Sequence, residues 1–288
     1  MGTGISLVMS CWNRTKLFRL SYPSWLQGNP EYPDRTLPDE ILVVNDGGAT
    51  DLVAAVEDMK RLIEDLGYDI PVFYKHRDKG HAAWSNPAIP HNYLVKEAKG
   101  PIVVIIDPET ALVNDVLGYM HSYYADEQYI GTEKAALEIR RHNSLAAGTT
   151  YAIQSEFQHA GAGMLPHEVP HRSEFVSSDP TSHQVIVRGG PAHECRAWWR
   201  DRYIALGGKD ESYVAWGYED LDLEHRNQRF QPKGICGCDE KAIIVTYGHL
   251  LPPCTTGSES TGANEVRWRT QSPLDGVANK GVEWGVVK

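Results

Sequence analysis

The sequence predicts an α/β fold built on a doubly wound, mostly parallel sheet. Four short apolar runs, Ile5–Ser10, Ile41–Asn45, Val72–Tyr74 and Ile102–Ile106, carry many β-branched residues and little alternation. Strands buried on both faces of a parallel sheet read this way. Helical patterns separate the later runs, and strand–helix–strand order implies right-handed crossovers.

Each element has its own signal. Ile5–Ser10 opens the sheet and Ile41–Asn45 follows it. The stretch from Leu52 to Leu66 is an amphipathic helix, because Leu52, Val56, Met59, Ile63 and Leu66 recur at intervals of three and four. Thr50 or Asp51 can cap its start and Gly67 can end it. A third strand, Val72–Tyr74, leads to a second helical stretch over Asn92–Lys99, and Ile102–Ile106 is the fourth strand. Residues 145–190 are rich in Gly, Pro, Ser and His without periodicity, and read as long loops with short strands, either plain connections or a lid or acceptor surface. A further strand is expected at Ile243–Thr246. Beyond Leu250 the Pro-Pro and Ser/Thr/Gly-rich stretches predict a partly mobile tail, with Val282–Val287 as a candidate edge strand. The domain reading is one unit over 1–250, with halves 1–109 and 110–250, followed by an extension over 251–288.

The 288 residues include 28 Lys+Arg against 38 Asp+Glu, a net charge of −10. That balance works against nonspecific binding to nucleic acid or anionic membrane. No apolar run reaches the ~18 residues a membrane span needs. The Met1–Ser6 opening fits a loose myristoylation pattern, but strand residues begin at Ile5 and leave no lead for an anchor. Five scattered cysteines fit reduced thiols in the cytoplasm. Cys236-Gly-Cys238 lacks a second pair to complete a four-ligand metal site.

Ligands of such sheets gather at the carboxyl ends of the strands, and three acidic clusters sit where that edge is expected. Asn45-Asp46-Gly47-Gly48 ends the second strand; it reads as a turn, or as a carboxylate facing a base edge or ribose hydroxyl. Asp107-Pro108-Glu109 ends the fourth, so two carboxylates spaced i and i+2 reach the ligand edge. They read as solvated loop acids or as hard oxygen ligands for Mg²⁺ or Mn²⁺. Trp216-Gly217-Tyr218-Glu219-Asp220-Leu221-Asp222 opens a helix; it reads as an ordinary acidic first turn, or as a helix N-terminus stabilising the ionised carboxylate a general base requires.

Taken in order, these segments resemble GT-A glycosyltransferases, especially the family 2-like group and its galactosyltransferase relatives. Val8-Met9-Ser10-Cys11-Trp12-Asn13-Arg14 resembles their opening P-T-Y-N-R turn, Asn45-Asp46-Gly47-Gly48 their D-D-G-S, and Asp107-Pro108-Glu109 their D-x-D metal motif. Arg196 through Asp210-Glu211 resembles R-x-x-W…G-G-F-D-E, and Trp216-Gly217-Tyr218-Glu219-Asp220 resembles W-G-x-E-D. The likeness runs from about residue 5 to 250.

The resemblance implies a metal-dependent transfer from a nucleotide-sugar donor, with UDP the implied nucleotide and Mn²⁺ or Mg²⁺ the cofactor. It implies that Ser10, Trp12, Arg14 and Asp46 line the nucleotide pocket, that Glu109 binds the metal, and that Asp107 binds ribose or supports the metal. Trp216 would stack on a sugar face, Glu219 would bond acceptor or donor sugar, and Asp220 would remove the acceptor proton with inversion of configuration. His249, 249 − 219 = 30 positions beyond Glu219, matches an additional metal ligand. Asn45 stands where an acid is usual, and Glu109 replaces an Asp. The Lys79–Asn86 turn lacks the usual Arg; it reads as a plain turn, or as one in which Lys79 or His81 meets the diphosphate instead. A retaining glycosyltransferase, a nucleotidyltransferase and a non-catalytic nucleotide- or sugar-binding protein are the alternatives. The acceptor is open among glycans, lipid-linked glycans, small molecules, proteins and modified DNA.

Overall fold

A computed structural model describes residues 3–28, 33–47, 51–78, 86–112, 114–125, 134–140, 144–145, 185–186, 191–214, 217–230, 235–239, 244–246, 257–271 and 276–287. Its first half alternates β1 (Ile5–Cys11), α1 (Thr15–Ser21), α2 (Pro23–Leu26), β2 (Glu40–Asn45), α3 (Leu52–Asp65), β3 (Val72–His76), α4 (Ala88–Glu97) and β4 (Ile102–Ile106). There follow β5 (Thr110–Leu112), α5 (Val116–Ala125), β6 (Lys134–Arg140) and the short pair β7 (Ser144–Leu145) and β8 (Val185–Ile186). The remainder is β9 (Pro191–Trp199), α6 (Arg200–Ala205), α7 (Glu219–Phe230), β10 (Ile235–Asp239), β11 (Ile244–Thr246) and α8 (Gly257–Gln271).

Seven strands form one sheet in the order β10-β6-β9-β4-β1-β2-β3. β1 pairs in parallel with both β2 and β4, β2 with β3, and β10 with β6. Among the described strands of this sheet, β9 alone is reversed, running antiparallel to β4 and β6. The sheet is therefore mostly parallel, as expected.

Double burial follows from the period of two along a strand. Ile5, Leu7, Met9, Ile41, Val43, Ile102, Val104 and Ile106 turn to one face and join Phe18, Trp25, Val56, Met59 and Met120 from α1, α2, α3 and α5. Val8, Leu42, Val44, Val103 and Ile105 turn to the other, against Leu94 of α4, Tyr203 of α6 and Leu223 of α7. β3 departs from this pattern. It is one of the two edge strands of the described sheet, and Phe73 is exposed there.

Two expectations about the chain beyond residue 250 meet a different structure. Gly257–Gln271 is helical rather than a mobile tail, and Val282–Val287 forms turns and extended segments without strand pairing. Residues 276–287 instead pack on the loop after α6: Ala278 N–H donates to Leu206 O at 3.0 Å, and Asn279 Nδ2 donates to Gly207 O and Lys209 O, each at 2.8 Å. The helix expected over Asn92–Lys99 is α4, which begins at Ala88, four residues before the expected start, because prolines are tolerated in a first helical turn. Among the described residues no helix is long and apolar enough to cross a membrane.

Candidate active site

The register brings the strand ends to one edge. Cys11 of β1 lies opposite Asn45 of β2, Asn45 opposite His76 of β3, and Val8 of β1 opposite Ile105 of β4. The residues that follow these strands therefore share a rim, and the acids occupy it.

Asp46 follows β2 and is almost fully buried, with its backbone N–H on Cys11 O at 2.9 Å. Arg77 Nη1 donates to its Oδ1 at 2.8 Å, a charge-assisted bond that offsets the burial of the carboxylate. Trp12 follows β1 directly and is half-buried; Asn13 beside it takes the left-handed backbone (φ 53°) and turns the chain into α1. Arg14, at the start of that helix, pairs with Glu109. The turn therefore delivers a cation to the acids beyond β4.

Asp107 and Glu109 are both buried or nearly so. Burial first, and then the charge of Glu109, holds the Asp107 carboxyl well above the usual carboxylate range, while Arg14 and Lys209 act against that rise. Two carboxyl groups that repel each other in a desolvated rim fit a hard divalent cation, since oxygen donors suit Mg²⁺ and Mn²⁺ and an added positive charge would relieve the repulsion. Among the described residues no cluster of three or more His, Cys, Asp or Glu could hold a metal. His249, the expected third ligand, lies outside the described residues, as do Lys79 and Trp216.

The third cluster arrives on α7. Gly217 (φ 108°) and Tyr218 (φ 72°) turn the chain, and Tyr218 O accepts the Asp222 N–H at 2.8 Å as the helix begins. A positive φ on tyrosine is a strained conformation that its surroundings must enforce. The Tyr218 ring packs 5.6 Å from that of Trp268 on α8, which also lies 4.8 Å from His225. Glu219 is buried, and its Oε2 accepts the Gly217 N–H at 2.8 Å. Burial, followed by the neighbouring Asp220 charge, pushes its carboxyl up to about 7. Asp220 is more open, with 23% of its side chain exposed, and its Oδ1 lies 2.7 Å from Lys209 Nζ.

Asp107 responds to Glu109, Arg14, Lys209 and Asp220 together, so these five groups share one electrostatic neighbourhood. The structure thus brings Arg14, Asp107, Glu109 and Asp220 together, with Glu219 against Asp220 and Lys209. Ser10 joins through His91, whose Nε2 lies 2.9 Å from Ser10 Oγ.

The sequence motifs do not single out four residues of this site: Arg77, His91, Asn92 and Lys209. Lys209 follows Gly207 and Gly208, both at positive φ (74° and 67°), in a turn that folds its side chain inward. Asn92 fixes that turn. Its Oδ1 accepts from Tyr203 Oη at 2.7 Å and Lys209 N at 2.9 Å, while its Nδ2 donates to Lys209 O at 2.9 Å and Glu211 Oε1 at 2.8 Å. The Gly-Gly-Lys sequence is the available signal for Lys209; His91 carries none, because it lies outside the helix expected over Asn92–Lys99.

No protein-family model and no curated protein matches the chain. Solved structures do. The mannosyltransferase PcManGT from Pyrobaculum calidifontis, determined in complex with GDP-Man and Mn²⁺, superposes with a TM-score of 0.51 at 15% identity over 87% of this chain and 58% of that one. GalNAc-T7, determined with UDP, GalNAc and Mn²⁺, superposes with a TM-score of 0.54 at 14% identity over 92% of this chain and 47% of that one. The chain thus spans about half the length of these proteins. At such identity the likeness is one of architecture: the chain has a GT-A-like fold.

Proposed function

We propose that the chain transfers a sugar from a nucleoside diphosphate donor to an acceptor hydroxyl, with a divalent cation and inversion at the anomeric carbon. One observation carries the reading. A buried pair of acids after β4 and a partly exposed acid at the start of α7 lie within electrostatic reach of one another at the ligand edge of a GT-A-like sheet. The two structures of this fold described above hold nucleotide or nucleotide-sugar with Mn²⁺, which supports the donor class and the cation. UDP is the nucleotide we favour.

Glu109 and Asp107 would hold Mn²⁺ or Mg²⁺, with His249 as a further ligand. The cation supplies positive charge against the departing diphosphate. Ser10, Trp12 and Asp46, at the strand ends, would meet the nucleoside, with Asp46 kept in place by Arg77. Asp220 accepts the proton of the acceptor hydroxyl as its oxygen bonds to the anomeric carbon. The bond from that carbon to the diphosphate oxygen breaks, and the nucleoside diphosphate leaves with the electron pair. An adjacent ammonium favours an ionised carboxylate, the state in which a carboxyl group can accept a proton. Glu219, beside it and more deeply buried, would bond a sugar hydroxyl rather than shuttle the proton.

The test is a panel of nucleotide-sugars incubated with the chain and Mn²⁺, followed by thermal shift and by release of nucleoside diphosphate. One donor should raise the melting temperature by mass action, release its diphosphate, and give a product of opposite anomeric configuration. Retained configuration removes Asp220 as sole base. No stabilisation and no release with any donor overturns the reading.

A further inference from the structure

A line of polar groups runs through the interior of this site and connects its two sides. Ser10 Oγ, at the end of β1, lies 2.9 Å from His91 Nε2 on α4. The other ring nitrogen, Nδ1, lies 2.9 Å from Lys209 Nζ in the turn after α6. The same ammonium lies 2.7 Å from Asp220 Oδ1 at the start of α7. His91 is 4% exposed and Lys209 3%, so the middle of the line is sealed from water while its ends reach the rim.

Hydrogen counting fixes the state of the line. An ammonium only donates, so His91 Nδ1 must accept from Lys209, and the ring proton must sit on Nε2 and be donated to Ser10 Oγ. The Ser10 hydroxyl is then left to donate onward. A doubly protonated imidazolium would set two donors face to face at Lys209. Burial, and then the Lys209 charge, hold the His91 pKa well below its ordinary value, consistent with a ring that stays neutral. Three further elements keep Lys209 in place: the Asn92 side chain on its backbone N–H and O, the Asn279 amide on its O, and the two positive-φ glycines before it. A flexible lysine stem would otherwise have many rotamers.

We propose that Lys209 and His91 are positioning residues: they fix the aim of the Asp220 carboxylate and tie it to Ser10 across the nucleotide side of the site. The proposal rests on Asp220 acting as the proton acceptor. Displacing a reacting group by about 1 Å can cost ~10²-fold in rate, so a line that orients a carboxylate contributes to turnover without touching the substrate itself.

The experiment has two independent readouts on the full chain. In ¹⁵N-labelled protein, the His91 ring shifts should report the neutral Nε2–H form, and Lys209→Met should disturb them. Separately, with the donor that turns over in the panel, Lys209→Met and His91→Leu should lower kcat by about 10²-fold, while binding of UDP with Mn²⁺ is unchanged. His91→Gln should recover most of the loss, because its Oε1 can accept from Lys209 and its Nε2 can donate to Ser10. Unchanged kcat in both Met and Leu variants, failure of Gln to recover more than Leu, or an Nδ1–H or imidazolium signal in the unsubstituted chain would each overturn the proposal. If the Met or Leu variant does not fold, Ser10→Ala decides: a perturbed His91 resonance with lowered kcat supports the line, and no change in either refutes it. If no donor turns over, the function proposed above has failed, whereas the ring shifts still judge the line on their own.

Discussion

Arg226 and Asp222 form a fully buried ion pair one turn apart in α7, with Nε and Oδ2 separated by 2.6 Å. Arg226 also donates through Nη1 to Leu206 O and through Nη2 to Gly208 O, each at 2.6 Å. One guanidinium thus joins the helix bearing Glu219 and Asp220 to the turn bearing Lys209. Removing one partner of a buried pair leaves an uncompensated charge, at a cost of about 3–5 kcal/mol. Arg226→Met should destabilise the chain by that order in urea unfolding. The double variant Asp222→Leu/Arg226→Met should be less destabilised than Arg226→Met alone.

Asp220→Asn should lower kcat by about 10²- to 10⁴-fold, the range typical for loss of a general base. Binding of UDP with Mn²⁺, followed by calorimetry, should change little, because the substitution keeps the shape of the side chain. Undiminished turnover would remove Asp220 from the mechanism.

Gly208→Ala tests the turn itself. The residue has φ +67°, and an added Cβ would meet the Asn92 carboxamide oxygen. The left-handed backbone alone costs an L-residue roughly 1–2 kcal/mol. A lower melting temperature accompanied by a loss of kcat larger than the loss of donor binding is the expected result.

Glu219 gives the chain a pH-dependent stability. Its carboxyl is raised in the folded state, from 4.5 to about 7, chiefly by burial and then by Asp220. A raised carboxyl binds its proton more tightly when folded, so the folded state carries more protons than the unfolded chain between those values, and stability falls as pH rises through that window. Glu219→Gln should flatten the decline between about pH 4.5 and 7 in chemical denaturation; an unchanged slope would show that Glu219 does not titrate there.

Much of the sheet was readable because β1, β2 and β4 are covered on both faces, which leaves unbroken apolar runs such as Ile102–Ile106 with an acid at the tip. β9 was not readable as the reversed strand. Its stretch Pro191–Trp199 carries His193, Glu194 and Arg196, and Arg196 is buried in the middle of the sheet. α8 was hidden by its opening Gly257, Ser258, Ser260, Thr261 and Gly262, poor helix formers that read as a loop. The acids of the site were legible as motifs, since strand ends and helix starts are local features. Lys209 and His91 were not, because their role depends on a turn and a helix 118 positions apart meeting in the interior.

The grip of residues 276–287 on the Lys209 turn bears on synthesis. Glu211 N–H, Gly207 O and Lys209 O find their partner in Asn279, 68 to 72 positions later. During translation β1 to β4 can pair as they emerge, but the turn must wait for that asparagine, and long-range closures form slowly. A nascent chain halted before residue 279 would already have its early parallel strands while the Lys209–Asp220 side stayed unfinished, so the pairing half of the molecule should mature well before the half that carries Asp220.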